Sequence, residues 1–261
     1  LKLYYKDEYC TLLQGDCLEG MQKMAEKGLK FDAIITDLPY GTTACKWDTI
    51  IPFDKMWECL NNLRKDNSPI ILFGSEPFSS LLRCSNLKEF KYDWIWRKNT
   101  GTGFATAKYQ PLKYHEIISI FSIGKIKYNP IPTERFSEAS KRVCKNPVRG
   151  GGKTTSNHVP MNIVKVQYDS ETKTPESVLE FKSVPNAGGN KLHPTQKPIE
   201  LLEYLIKTYT NEGDIILDFT CGSGTTLLAS KKLNRKCYGV ELEKKYCEVT
   251  KNRLIELDNT P

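Results

Sequence analysis

A chain of 261 residues, 39% hydrophobic and 26% charged, can bury a sizeable core and holds one large α/β domain with an insertion or two small domains. No apolar run reaches the roughly 18 residues of a membrane span, and Leu1 to Asp7 lacks the apolar centre of a signal peptide, so a cytoplasmic protein with no membrane contact is expected. The net charge of +7 permits a polyanionic partner without requiring one.

In chain order, Tyr9 to Gln14 reads as a short strand ending at Gly15-Asp16. Cys17 to Lys27 follows as a helix, with Leu18, Met21, Met24 and Ala25 at helical spacing. Phe31 to Thr36 is a compact apolar run, a buried strand with Asp37 at its carboxyl end. Phe53 to Lys65 is a helix with Met56, Trp57, Leu60 and Leu63 on one face. Pro69 to Phe73 is a second buried strand, and Pro77 to Leu87 is helical with proline in the first turn. Tyr92 to Trp96 and Glu116 to Ile123, rich in aromatic and β-branched residues, read as strands.

From Lys125 to Lys191 the periodicity breaks. Prolines scatter, glycines cluster at 150–152 and 188–189, and basic residues gather at Lys125, Lys127, Arg135, Lys141, Arg142, Lys145, Arg149 and Lys153. Two readings stand: a solvated insertion, or a segment that holds phosphates and reads base edges. Regular alternation then resumes, with helix Ile199 to Tyr209, strand Asp214 to Asp218, helix Thr225 to Leu233, strand Lys236 to Val240 and helix Lys245 to Leu257. The expected fold is a doubly wound α/β domain with a mostly parallel sheet, divided as 1–124, an insertion at 125–191, and 192–261. The 9 cysteines are odd in number and form no C-x-x-C pair, and histidines number 3, so reduced thiols and no metal site are expected.

Two segments carry chemistry. Asp218-Phe219-Thr220-Cys221-Gly222-Ser223-Gly224-Thr225-Thr226 closes a strand and turns through two glycines into a helix. Glycine there allows positive φ and leaves room for a nucleoside to approach the backbone. The following strand ends at Glu241, about twenty residues on, where a carboxylate suits ribose hydroxyls. Asp16, at the end of the first strand, suits an adenine amine in the same way. The other segment is Asp37-Leu38-Pro39-Tyr40-Gly41. Asp37 and the Leu38 carbonyl offer two acceptors for the hydrogens of an aryl amine, turning its lone pair toward an incoming methyl group. Pro39 fixes the turn, and Tyr40 offers a ring for a base taken out of its stack. Thr42, Thr43, Lys46, Trp47 and Asp48 follow as a loop over that base, with Trp47 equally placed to be core.

These motifs, in this order, resemble the β class of DNA amino-methyltransferases. There a D-P-P-Y motif comes first, the recognition region next and the cofactor motif last. His193-Pro194-Thr195-Gln196-Lys197-Pro198 is similar to the segment that precedes the cofactor motif in that class. The resemblance implies S-adenosylmethionine as cofactor and double-stranded DNA as substrate. It implies catalysis by Asp37, Leu38, Pro39 and Tyr40. It implies a cofactor site built from Asp16, Asp37, Lys197, Asp218, Phe219, Thr220, Gly222, Gly224, Thr225 and Glu241, with Lys197 near the methionine part. A homodimer and a cognate restriction endonuclease are further implied partners. Leu38 departs from the family's proline but keeps the carbonyl the role uses. The leading Asp favours adenine N6 over the cytosine amine. Carbon-5 cytosine chemistry is disfavoured because no Pro-Cys dipeptide supplies a thiol nucleophile. A cofactor-sensing DNA-binding protein without turnover is the alternative from another class, opposed by the intact Asp37 and Tyr40.

Overall fold

The computed structural model describes residues 1–42, 45, 48–134, 172–185 and 191–259. Thr43, Lys46, Trp47, both glycine clusters and the basic residues from Arg135 to Lys153 lie outside the described residues. Two compact units form, one from Leu1–Asn129 with Ser177–Pro261 and one from Pro130–Glu176.

In chain order the elements are β1 (Lys2–Lys6), β2 (Cys10–Gln14), α1 (Cys17–Glu26), β3 (Ala33–Asp37), α2 (Phe53–Leu63), β4 (Ile70–Gly74), α3 (Phe78–Ser85), β5 (Phe90–Thr102) and β6 (Lys113–Phe121). Then come β7 (Thr133–Glu134), β8 (Thr172–Lys173), β9 (Val178–Glu180), α4 (Ile199–Tyr209), β10 (Ile215–Asp218), α5 (Thr225–Lys232), β11 (Lys236–Glu241) and α6 (Lys244–Asp258). The smaller unit contributes the antiparallel pair β7–β8.

The larger unit is a 9-stranded sheet in the order β1-β2-β11-β10-β3-β4-β6-β5-β9. Strands β2, β11, β10, β3 and β4 run parallel, and β1, β6 and β5 supply the antiparallel pairings toward the two ends. The central strands are short apolar runs because both faces of a parallel sheet are covered. Side chains alternate across the pleat accordingly. Ala33, Ile35, Ile71, Phe73 and Ile216 pack with α4, α5 and α6. Ile34, Ile70, Leu72 and Leu217 pack with Met21 and Met24 of α1, Met56 and Leu60 of α2, and Leu82 of α3.

The connections fix where a ligand can enter. From β10 the chain passes through α5 to β11 on one side. From β3 it passes through α2 to β4 on the other. Helices leaving neighbouring parallel strands in opposite directions open a crevice at the strands' carboxyl ends. Asp218 and Asp37 are the last residues of those two strands.

Three features were not read from the sequence. Strand β1 is a lysine-flanked edge strand whose ends are exposed, so it carries little hydrophobic pattern. Strands β5 and β6 extend past the expected aromatic runs into polar residues, because their antiparallel pairing continues to Thr102 and Lys113. Val178–Glu180, inside the stretch read as insertion, forms β9 and pairs in parallel with β5 at the sheet edge.

Helix α4 is locked to the antiparallel end of the sheet by a buried hydroxyl. The fully buried Tyr209 accepts the Trp94 indole N–H at 2.6 Å, and its oxygen lies 3.0 Å from the Tyr92 hydroxyl. Burial raises the Tyr209 pKa well above its ordinary value, so the group stays a neutral phenol. Tyr209→Phe keeps the ring but leaves the Trp94 donor unpaired, and is expected to lower the unfolding free energy by about 1–3 kcal/mol. Urea denaturation checks this, with no change in slope anticipated.

Candidate functional site

One cavity lies at the carboxyl ends of β3 and β10, and a second adjoins it. The first encloses 350 Å³ and is lined by Gly15, Asp16, Asp37 to Tyr40, Asp218 to Ser223 and Glu241, among others. The second encloses 460 Å³ between Trp96, Lys98, Gly101 to Phe104, Glu116 and Pro194. Tyr40, Thr195, Gln196 and Lys197 line both.

Of the residues singled out in the sequence, Asp16, Asp37, Leu38, Pro39, Tyr40, Lys197, Asp218, Phe219, Thr220, Gly222, Thr225 and Glu241 all reach the first cavity. Gly224 does not. It starts α5 with φ 76°, and a Cβ there would lie 2.3 Å from Thr250 Cγ2 of α6, so glycine is required for the turn to seat on that helix.

Hydroxyl groups tie the two motifs together. Thr36, buried in β3, donates to Asp218 Oδ1 at 2.6 Å, and its oxygen lies 2.7 Å from Thr220 Oγ1. Thr220 in turn donates to the Asp37 carbonyl at 2.9 Å, and its backbone N–H reaches Asp218 Oδ1 at 3.2 Å. Glu241 holds the glycine turn from the other side. Its two oxygens accept the backbone N–H groups of Gly222 and Glu243, each at 2.8 Å. Asp16 caps α1 by accepting the Glu19 N–H at 3.0 Å. Arg253 of α6 donates to the Ser223 carbonyl at 2.5 Å and braces the turn from behind.

The Asp37 carboxylate sits in a buried chain of alternating charge. Tyr40 donates its hydroxyl to Oδ1 at 2.6 Å, and the Lys197 ammonium lies 2.5 Å from Oδ2. Lys197 also lies 3.3 Å from Glu116 Oε2, and Glu116 Oε1 lies 3.2 Å from Lys98. Burial pushes the Asp37 pKa up, and Lys197 only partly offsets it. Burial favours the neutral form of Lys197, but Asp37 and Glu116 overcome this and keep it charged. Glu116, flanked by two ammonium groups, is held below the ordinary glutamate value despite its burial. The Lys197 ammonium therefore rests on carboxylates at the junction of the two cavities.

Asp48 accepts the N–H groups of Gly41 and Thr42 at 2.9 and 3.0 Å, which fixes the chain leaving the Asp37 segment. His193 stacks edge-on against Tyr246 at 4.1 Å, and burial lowers its pKa to about 4, so the ring is neutral. Its Nδ1 accepts the Thr195 N–H at 3.2 Å. Cys221 lines the first cavity as a free thiol, and burial raises its pKa well above the ordinary range.

Thr36, Lys98, Glu116 and Arg253 were not anticipated. Thr36 had one sequence signal, a hydroxyl in an apolar strand directly before Asp37. The others come to the site from β5, β6 and α6, and only the tertiary fold brings them there.

Burial pushes Glu241 up to about 7 and Asp218 up to about 6. Both carboxyls thus hold protons in the folded chain that the unfolded chain has released. Their contribution to stability is full below the ordinary carboxylate range and is lost as pH rises through about 6 to 7. Glu241→Gln removes one of these titrations. Between pH 5 and pH 8 the wild type is expected to lose roughly 2–3 kcal/mol relative to this variant in denaturant unfolding.

The family model for N6/N4 methyltransferases, described as DNA methylase, matches residues 31–252. Type II methyltransferase M.HpaI of Haemophilus parainfluenzae is 29% identical over 257 residues, covering 93% of this chain and 73% of that protein. DNA adenine methyltransferase YhdJ of Escherichia coli (strain K12) is 28% identical over 269 residues, covering 96% and 84%. The crystal structure of the M1.HpyAVI–SAM complex shares the fold with a TM-score of 0.61 at 24% identity, over 94% of this chain and 99% of that one. The chain belongs to the N6/N4 DNA methylase family.

Proposed function

We propose that the protein transfers a methyl group from S-adenosylmethionine to the N6 amine of an adenine flipped out of double-stranded DNA. The observation that carries this reading is the position of Asp37. Its carboxylate lines the first cavity and is bonded to Tyr40 and Lys197, which line both cavities, and its carbonyl is tied through Thr220 to the Asp218 turn.

The first cavity suits the donor. The carboxylates of Asp16, Asp37, Asp218 and Glu241 converge on it, and among its described lining residues Lys197 is the one ammonium. Once Asp218 and Glu241 have released their protons, above about pH 7, this excess of negative charge favours a cationic ligand. Glu241 is assigned to the ribose hydroxyls, Asp16 to the adenine amine, and the Asp218 to Thr225 turn to the nucleoside. When bound, S-adenosylmethionine supplies a methyl group made electrophilic by the sulfonium. Lys197 is assigned a place beside the methionine part, with its charge shared between Asp37 and Glu116.

The second cavity is assigned to the target base. Asp37 and the Leu38 carbonyl accept the two hydrogens of the amine and direct its lone pair toward the first cavity. Tyr40, which lines both cavities, offers its ring to the base. Alignment and fixed charge supply the rate, since no covalent intermediate is needed. Adenine is favoured by the leading Asp of the motif and by the likeness to a relative named as an adenine methyltransferase. The 125–191 segment is assigned target recognition. A homodimer, a cognate restriction endonuclease and a cytoplasmic setting belong to the same reading.

Methylation of mixed-sequence duplex DNA with labelled donor, followed by nucleoside mass spectrometry, tests the proposal. N6-methyladenine is the expected product. A methylcytosine product would keep the site and overturn the base, and no product with donor bound would favour the sensing protein. Asp37→Ala is expected to lower transfer by roughly a thousandfold or more, with donor affinity by calorimetry within about threefold of wild type. Loss of donor binding would show that Asp37 belongs to the cofactor site alone. Glu116→Gln lets Lys197 settle on Asp37 and removes a charge that raises the Asp37 pKa. It is expected to lower kcat about tenfold at neutral pH and to move the acid limb of the kcat profile to lower pH.

A further inference from the structure

The tip of the connection between β5 and β6, beyond the residues that line the second cavity, has a composition and a conformation that the assigned chemistry does not use. From Arg97 to His115 the sequence holds four cations, Arg97, Lys98, Lys108 and Lys113, and no acidic residue; Arg97 and Lys98 are paired with Glu180 and Glu116 of neighbouring strands, and Lys108 stands at the tip beside Tyr109. Three aromatic side chains in the connection are exposed, Tyr109 and Phe104 most of all at 82% and 66%, with Tyr114 at the base of the turn less so. An isolated exposed aromatic needs no explanation, but a group of them in one basic turn beside a binding cavity marks a partner surface.

The turn is shaped by its own hydrogen bonds. Gly103 takes φ 91°, its carbonyl accepts the Thr106 hydroxyl at 3.1 Å, and the Thr106 carbonyl accepts the Tyr109 N–H at 2.8 Å. Gln110 donates to Thr106 Oγ1 at 2.8 Å. The base of the turn is pinned as well. Lys113 donates to Ser75 Oγ just beyond β4, and a Cβ on Gly101 would lie 2.6 Å from the Tyr114 ring. Gly101 to Phe104 also form part of the wall of the second cavity, together with Tyr40 and Lys197.

Building on the function proposed above, we infer that residues 100–114 form a second DNA-contacting element, separate from the 125–191 segment. Tyr109 and Phe104 stack on bases bordering the gap that the flipped adenine leaves, and Lys108 contacts a backbone phosphate. Aromatic rings stack on any base, so the element contributes to extrusion and not to sequence choice. A preformed turn loses little conformational freedom when it enters the duplex.

The test compares wild type with Tyr109→Ala, Phe104→Ala and Lys108→Ala in the full-length chain. Duplex affinity is read by fluorescence anisotropy and transfer by labelled donor, on the target site mapped from methylated DNA. Tyr109→Ala and Phe104→Ala are expected to weaken kcat/KM for the paired duplex by about tenfold or more, while donor affinity stays within twofold. Placing the target base opposite an abasic position removes most of the cost of extrusion, and there the defect is expected to shrink below about threefold. Lys108→Ala is expected to reduce the slope of log affinity against log salt by about one. Equal activity of the aromatic variants and wild type on paired DNA overturns the inference. So does a defect of the same size on paired and abasic duplexes, which reports general misfolding of the site. A concentration-dependent change in sedimentation without a change in DNA affinity also overturns it, assigning the turn to contact between copies. Wild-type protein that neither binds nor methylates any duplex would bring down the function reading itself. Wild-type activity with unaffected variants removes only the wedge.

Discussion

The site depends on the adjacency of β10 and β3. Their ladder brings together residues more than 180 positions apart in the chain, and two hydroxyls complete it. Thr36 carries the end of β3 onto Asp218, and Thr220 returns the bond to the Asp37 backbone. Each of these polar groups is buried or partly buried, so each bond forms where leaving it unmade would be costly. A shift of either strand by one residue would turn its aspartate to the opposite face of the sheet. Register in the sheet therefore sets the alignment between the two cavities.

Around this junction the electrostatics are arranged in alternation. Asp37, Lys197, Glu116 and Lys98 form a chain in which each interior charge has a partner on both sides. Buried pairs add little stability over apolar packing, but removing one member strands the others. The sheet holds the chain in place. Glu116 stands on β6 opposite Trp96 of β5, and Lys98 lies farther along β5. The antiparallel end of the sheet thus supplies the last two members of the chain, Glu116 and Lys98, while Lys197, the counter-charge of Asp37, comes from the segment before α4.

Much of this was legible in the sequence. The central strands announced themselves as short apolar runs bounded by glycine and aspartate, and Met56, Trp57, Leu60 and Leu63 gave α2 its face. The Asp37 and Asp218 segments were readable because their residue types have few other uses at a strand end. Glu116 and Lys98 were not, since a glutamate and a lysine in half-polar strands look like ordinary surface residues until the partner strand is in place. β9 was hidden for another reason. Its three residues are too few to show a period, and it is defined by its bonding to β5. Gly224 was read as room for a ligand, whereas the turn needs glycine there for its close approach to Thr250.

Cys221 has a consequence of a different kind. Its sulfur stands in the wall of the cavity assigned to a methylating agent, where an ionised thiol would compete with the amine for the methyl group. Burial among Asp218 and Glu241 holds it as the protonated, weakly nucleophilic form. The low-dielectric wall that shapes the pocket therefore also protects the protein from alkylating itself, and does so without giving up a small, well-packed side chain at the glycine turn.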